Sequence, residues 1–174
     1  MATATTTVRG VVPGTKLRVG SLIMAIGGAG FIGYAVIFFV RNFTGFLELG
    51  IGRGEVSVSK TQIKEFSPSL YDYISHLHIA LSGFIAASGL AVIALAWFGV
   101  RRGQFWAWVT AVAVPVLALA VALPAHYPND LDTFGHLGLI YADTLLFVVG
   151  AVVAFLGLRE QSPDLFATRP AGAP

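Results

Sequence analysis

Residues 137–158 read LGLIYADTLLFVVGAVVAFLGL, an unbroken apolar run whose only charged member is Asp143. Crossing a hydrocarbon core of about 30 Å takes roughly 20 apolar residues in a helix. A helix is also the local form that satisfies its own backbone N–H and C=O groups where water is absent. Working back along the chain, the same signal recurs from Phe105 to Leu123, from Ile79 to Val100 and from Ser21 to Val40. With their polar ends included, the expected spans are about 21–40, 74–100, 104–124 and 135–158. Together they form a single transmembrane unit at 19–158, between an N-terminal tail at 1–18 and a C-terminal tail at 159–174. The expected fold class is an all-α membrane protein with four transmembrane helices in an antiparallel bundle.

Composition supports that reading. The 174 residues are 56% hydrophobic and 11% charged, under half the charge of an average soluble domain, which carries about 25%. With no cysteine, iron–sulfur clusters and c-type haem lose their ligands or attachment points, and any metal has to be held by His, carboxylate or Tyr. The net charge of +2 does not point to nucleic acid, because the basic residues lie beside the spans and form no stripe or run. The expected partners are the lipid bilayer and other membrane subunits or a second copy of the chain.

The basic residues instead report orientation. Arg9, Lys16, Arg18, Arg101, Arg102, Arg159 and Arg169 fall on one side, and only Arg41, Arg53, Lys60 and Lys64 on the other. The positive-inside rule then places both termini in the cytoplasm. The outer side collects Glu48, Glu55, Glu65, Asp72, Asp130, Asp132 and Asp143 and is left net acidic, so it attracts cations. Trp97, Trp106 and Trp108 flank the Arg101-Arg102 turn as an inner aromatic belt. The first run is too long for an ordinary signal-peptide core and no A-x-A-like site follows it, so it reads as a retained anchor, in a multi-pass protein of a bacterial plasma membrane.

Outside the spans, the outer loop 41–67 holds a start signal at Ser59-Lys60-Thr61-Gln62, where Ser59 and Gln62 can bond reciprocally to open a short helix reaching about Phe66. Ser67-Pro68 then starts the second long helix well before its apolar run. The Gly-broken stretch from Phe43 to Ile51 is expected to lie along the bilayer surface. A shorter outer loop occupies 125–134. Helix packing in lipid favours small residues, which nominates Ala25, Ala29 and Gly33, then Gly83, Ala87 and Ala91, then Gly138 and Ala142. Pro115 removes a backbone donor in mid-span and is expected to kink the third helix unless neighbours compensate.

Chemistry concentrates at one end. Asp72-Tyr-Ile-Ser-His76-Leu-His78-Ile79 and Asp132-Thr-Phe-Gly-His136-Leu-Gly-Leu139 both fit D-x-x-x-H-L-x-[I/L], a likeness that suggests two related hairpins. Spacing by four puts Asp and His on one helical face, where a carboxylate can orient an imidazole or share a metal with it. The candidate metal ligands are therefore His76, His78, His136, Asp72, Asp132 and Asp143. Imidazole with carboxylate suits copper, iron or zinc, and paired histidines suit a b-type haem. Asp143 lies about two turns inside its span, where a carboxylate is costly. A polar pocket lined by Tyr34, Ser82, Tyr141 and Asp143, with His78 and His136 nearby, is the expected compensation. His126 reads as an interfacial residue of the headgroup zone.

No zinc-protease, phosphate-loop, nucleophile-elbow or dinucleotide motif occurs in a usable context. The leading functional expectation is a non-catalytic subunit or accessory protein of a larger membrane assembly. The alternatives are a metal- or haem-binding redox protein using the outer His/Asp cluster, and an enzyme acting on a lipid or quinone-like substrate.

Overall fold

The computed structural model describes residues 14–45, 51–161 and 163. Among these there is no strand. The elements are α1 (Thr15–Thr44), α2 (Arg53–Val56), α3 (Lys60–Phe66), α4 (Pro68–Ala94), α5 (Phe105–Ala122) and α6 (Phe134–Gln161). A π-helical turn at Leu95–Gly99 and a 3-10 turn at Val100–Arg102 extend α4; further 3-10 turns at Leu123–Ala125 and Tyr127–Asn129 follow α5. Four helices are long and apolar enough to cross a membrane, with mean hydropathy of 2.2 over the best window of α1, extended α4 and α5 and 2.3 for α6. The centre of the expected surface segment, 46–50, and most of both tails lie outside the described residues.

Short side-chain caps set the helix starts. Ser59 Oγ accepts from the Gln62 N–H at 3.2 Å while the Gln62 side chain accepts from the Ser59 N–H at 2.8 Å, which satisfies two of the donors that open α3. Ser67 Oγ accepts from the Leu70 N–H at 3.3 Å, and Pro68 takes the first turn of α4. Lys60 reaches across to close α1, its Nζ donating to the carbonyls of Asn42 at 3.1 Å and Phe43 at 3.3 Å. A cation there complements the negative end of the α1 dipole.

α1 is the axis of the molecule, with α4 and α6 each packed along it. Against α6 the meeting points are Leu17 with Gly157, Gly20 with Ala154, Met24 with Gly150 and Gly27 with Phe147. Rising numbers on α1 meet falling numbers on α6, so the two run antiparallel, and the steps of three and four are those of a coiled-coil seam. The seam depends on missing side chains: a Cβ on Gly157 would stand 2.7 Å from the Leu17 backbone nitrogen, and one on Gly150 2.7 Å from that of Met24. Against α4, α1 crosses glycine on glycine, where a Cβ on Gly28 would stand 2.9 Å from the Gly89 carbonyl oxygen. Further along the same pair, the Phe38 ring meets the His78 ring at 4.7 Å, and the Asn42 amide donates to Ser75 Oγ at 2.8 Å.

These seams differ from the small-residue stripes expected from the sequence. Ala29, Gly33, Gly83, Ala87 and Ala142 are exposed, and the open space around Gly33 and Gly83 holds no atom within 4 Å of an added Cβ. Spacing by four selects a face but not the face that is used, and α1 carries glycine on several sides. The observed seams alternate threes and fours, which keeps one narrow line in register with its partner.

α5 is held differently. At one end Ala107 packs on the bare Cα of Gly99 in the π-helical turn. One turn on, the Trp108 indole N–H donates to the Ala151 carbonyl of α6 at 2.9 Å, and its ring lies 5.0 Å from that of Phe155. The turn into α5 passes through Gly103 at φ 78°, a left-handed position suited to glycine. The helix continues through Pro115, which is buried, as one element.

Candidate functional site

The titratable side chains of the histidine-bearing end divide among three places. On α4, Asp72 and His76 share a face, are both exposed, and are joined by no hydrogen bond. His78 points the other way, since two residues turn a helix by about 200°. It is 9% exposed against Phe38, its Nδ1 bonds the Ile74 carbonyl at 3.0 Å, and its Nε2 is buried without a hydrogen-bond partner. Ser82 is buried one turn further on and donates back to the His78 carbonyl at 2.7 Å. The hydroxyl is thereby spent on its own helix.

Asp143 occupies a seam position on α6. The α1–α6 line that sets Phe147 against Gly27 here sets a carboxyl group against Gly30, and a side chain at Gly30 would overlap it. Glycine at 30 therefore makes the room in which Asp143 sits. Its Oδ2 is buried without a hydrogen-bond partner, an arrangement with a cost in any apolar surrounding. Tyr34 stands one turn along α1 from Gly30, its ring 6.1 Å from that of Phe38.

The third place is the hairpin between α5 and α6. His126 follows the first 3-10 turn, and its Nδ1 lies 2.9 Å from the Ala122 carbonyl oxygen. His136 lies in the first turn of α6, where its backbone N–H donates to the Thr133 carbonyl at 3.0 Å and to Thr133 Oγ1 at 3.3 Å. The two imidazoles face each other with Nε2 atoms 3.0 Å apart and ring centroids 5.0 Å apart. His136 is 1% exposed and His126 half-buried. Beside them the Tyr127 and Tyr141 hydroxyls bond at 2.9 Å. The turn that allows both contacts runs through Asp130 at φ 53°, a left-handed conformation that Asp tolerates better than most residues. The Leu131 N–H returns to the His126 carbonyl at 3.0 Å.

The expected ligands His76, His78, His136, Asp72, Asp132 and Asp143 are thus spread over separate sites, and among the described residues no three His, Asp or Glu side chains gather as a metal cluster. Of the expected pocket, Tyr141 is joined to Tyr127 on the exposed hairpin, Ser82 turns back to its own helix and Asp143 sits over Gly30. The contact that does form joins His136 to His126, a residue whose sequence context suggests only an interfacial place. The signal for this pairing is local: nine residues, including Pro128, Asn129 and Asp130, separate the two histidines, a length and composition that suit a tight turn. A haem iron between two axial imidazoles at about 2 Å each would hold their nitrogens about 4 Å apart, so the 3.0 Å spacing of this pair does not accommodate one.

Further cavities lie elsewhere among the described residues. One of about 20 Å³ is lined by Asn42, Lys60, Tyr71 and Ser75 among others, room for a single water. An open groove of about 540 Å³ lies at the other end of the helices, between the end of α4 and the start of α5, with Phe98, Arg102 and Trp106 in its walls. No protein-family model matches the chain, and no curated protein or solved structure matches it significantly.

Proposed function

We propose that this chain is a non-catalytic subunit or accessory protein of a larger assembly in a bacterial plasma membrane, with both termini in the cytoplasm and the histidine-bearing end outside. The orientation follows from seven basic residues on the terminal side of the spans against four on the other.

The observation that carries the subunit reading is the pair of uncovered helical glycines, Gly33 and Gly83, each with an exposed alanine one turn away at Ala29 and Ala87. Contacts of α1 with α4 at Gly28–Gly89 and Phe38–His78 put Gly33 and Gly83 at similar depth. Lipid chains have no need of such bare backbone, whereas a neighbouring helix approaches closely only where side chains are small. These bare positions accordingly receive a transmembrane helix of another subunit or of a second copy. Extraction of the native membrane into polymer nanodiscs, followed by sizing, tests the idea. The chain is expected in a particle larger than its monomer, from which Gly83→Leu and Ala87→Leu release it without changing helical content. A monomeric wild-type particle would overturn the reading.

A further inference from the structure

We propose that His126 and His136 form a binding site for a late first-row divalent cation such as Zn2+ or Cu2+, with both Nε2 atoms as ligands. The inference goes beyond the subunit reading and does not depend on it. A carbonyl oxygen can only accept, so the contact between His126 Nδ1 and the Ala122 carbonyl places the ring hydrogen on Nδ1. In the neutral ring, Nε2 then carries a lone pair and faces His136 Nε2. This is how metal-binding histidines are prepared, with the outer nitrogen tied to a carbonyl and the inner one left as the ligand.

The facing nitrogens fit the same chemistry. Two imidazoles bound to one ion at about 2.0–2.1 Å in a right-angled or tetrahedral arrangement have nitrogens about 2.9–3.4 Å apart, and the pair stands at 3.0 Å. Without an ion, one hydrogen bridges the gap, carried on His136 Nε2. Coordination requires His136 to take its other neutral tautomer, with that hydrogen on Nδ1, and no net proton is gained or lost. His126 has freedom to adjust because it sits in a turn, while His136 is fixed by burial. Two ligands from the chain leave the remaining positions to water, as in sites that exchange their ion. The acids that surround this end of the helices in sequence, Asp130 and Asp132 nearest, favour cation entry.

The test uses the full chain purified in detergent, stripped with chelator, and titrated first with Co2+ as an optical probe and then with Zn2+. One ion per chain is expected after desalting, with a Co2+ absorption spectrum distinct from that of the aqueous ion. His126→Ala and His136→Gln are each expected to weaken Zn2+ binding by more than about 100-fold, beyond the 10–100-fold that follows loss of a mere outer partner. His76→Ala is expected to leave binding unchanged. His136→Gln keeps a polar group of similar size in the buried position, and helical content and elution volume verify that each variant is folded. If wild-type protein retains no ion, or if folded His126→Ala or folded His136→Gln binds Zn2+ as tightly as wild type, the pair is a hydrogen bond between neutral rings and the proposal fails.

Discussion

α1 and α5 have the same mean hydropathy, 2.2 over their best windows, yet 28% of that window is buried inside the protein for α1 and 17% for α5. α1 is gripped along its length by α4 and α6 through glycines at which two backbones nearly touch. α5 is held along one narrow line, with Ala107, Ala111 and Pro115 buried, and is bonded by Trp108 at its start and by His126 and Tyr127 just past its end. Between them Leu117 is 67% and Val121 80% exposed. Hydropathy therefore assigns both helices to the membrane and says nothing of their place within it. That place is set by where side chains are missing, because apolar groups gain little by leaving lipid for one another while close backbone approach gains packing.

The comparison breaks most sharply at the α1–α4 crossing. Gly89→Leu drives a side chain into the Gly28 carbonyl and the Phe31 side chain, and backbone cannot step aside as a flexible side-chain tip can. An overpacked position of this kind is expected to cost about 3 kcal/mol, the upper part of the usual range. Steric trapping in bicelles would measure it. The matched control is Gly83→Leu on the open face of the same helix, where a change under about 0.5 kcal/mol is expected for the isolated chain. Equal losses at the two positions would mean that the bare face of α4 is internal.

The same distinction marks the limit of what the sequence made legible. The four spans, the Ser59–Gln62 cap and the start of α4 at Ser67-Pro68 are local features, encoded by neighbours within a few residues, and each can be read directly. The seams are not local. α1 offers Gly20, Gly27, Gly28, Gly30 and Gly33, and which of them meets a partner depends on the rotation of a helix whose apolar residues surround it on every side. The histidines follow the same logic. Asp72 with His76, and Asp132 with His136, were conspicuous because they repeat along a helix, whereas His126 with His136 is a pairing across a turn, fixed by the left-handed Asp130. Charge placed a polar cluster at this end; three-dimensional closure of the hairpin selected its members.

Asp143 sharpens the comparison from within the α1–α6 seam, because it continues the line of Gly157, Ala154, Gly150 and Phe147 with a carboxyl group. Gly30→Ala is expected to cost about 1 kcal/mol, the low end for overpacking, since the new methyl overlaps the tip of the Asp143 side chain, which can partly turn aside. Asp143→Ala removes a buried oxygen that has no hydrogen-bond partner and is expected to cost nothing. Combined with Gly30→Ala, it should restore all but about 0.5 kcal/mol of the first loss, the coupling expected of residues in direct contact. A thermal-unfolding cycle of the four proteins in one detergent reads this coupling. Additive losses would show that the two positions do not touch. A large loss from Asp143→Ala alone would show instead that the carboxyl group is satisfied in the folded protein and belongs to its working parts.

The smallest effect belongs to α5. Trp108→Phe keeps an aromatic ring between Phe105 and Phe155 while deleting one of the two fused rings and with it the indole N–H, whose bond to the Ala151 carbonyl links α5 to α6. No buried donor is orphaned, and the Ala151 carbonyl keeps its place in the backbone ladder of α6. The expected cost is about 0.6–1 kcal/mol, in line with polar contacts between membrane helices. Trp108→Ala removes the remaining ring as well and should cost more, the difference reporting the packing of that ring against Phe105 and Phe155. If α5 is held as sparsely as its exposure indicates, a spin label at Leu117 should report a broader distance to one at Ile37 on α1 in Trp108→Phe than in wild type. A label at Leu90 on α4 should keep its distance from the same reference. Broadening at both positions would erase the distinction between the gripped helix pair and the fastened one, and with it the account of α5 as the loosely held member of the four.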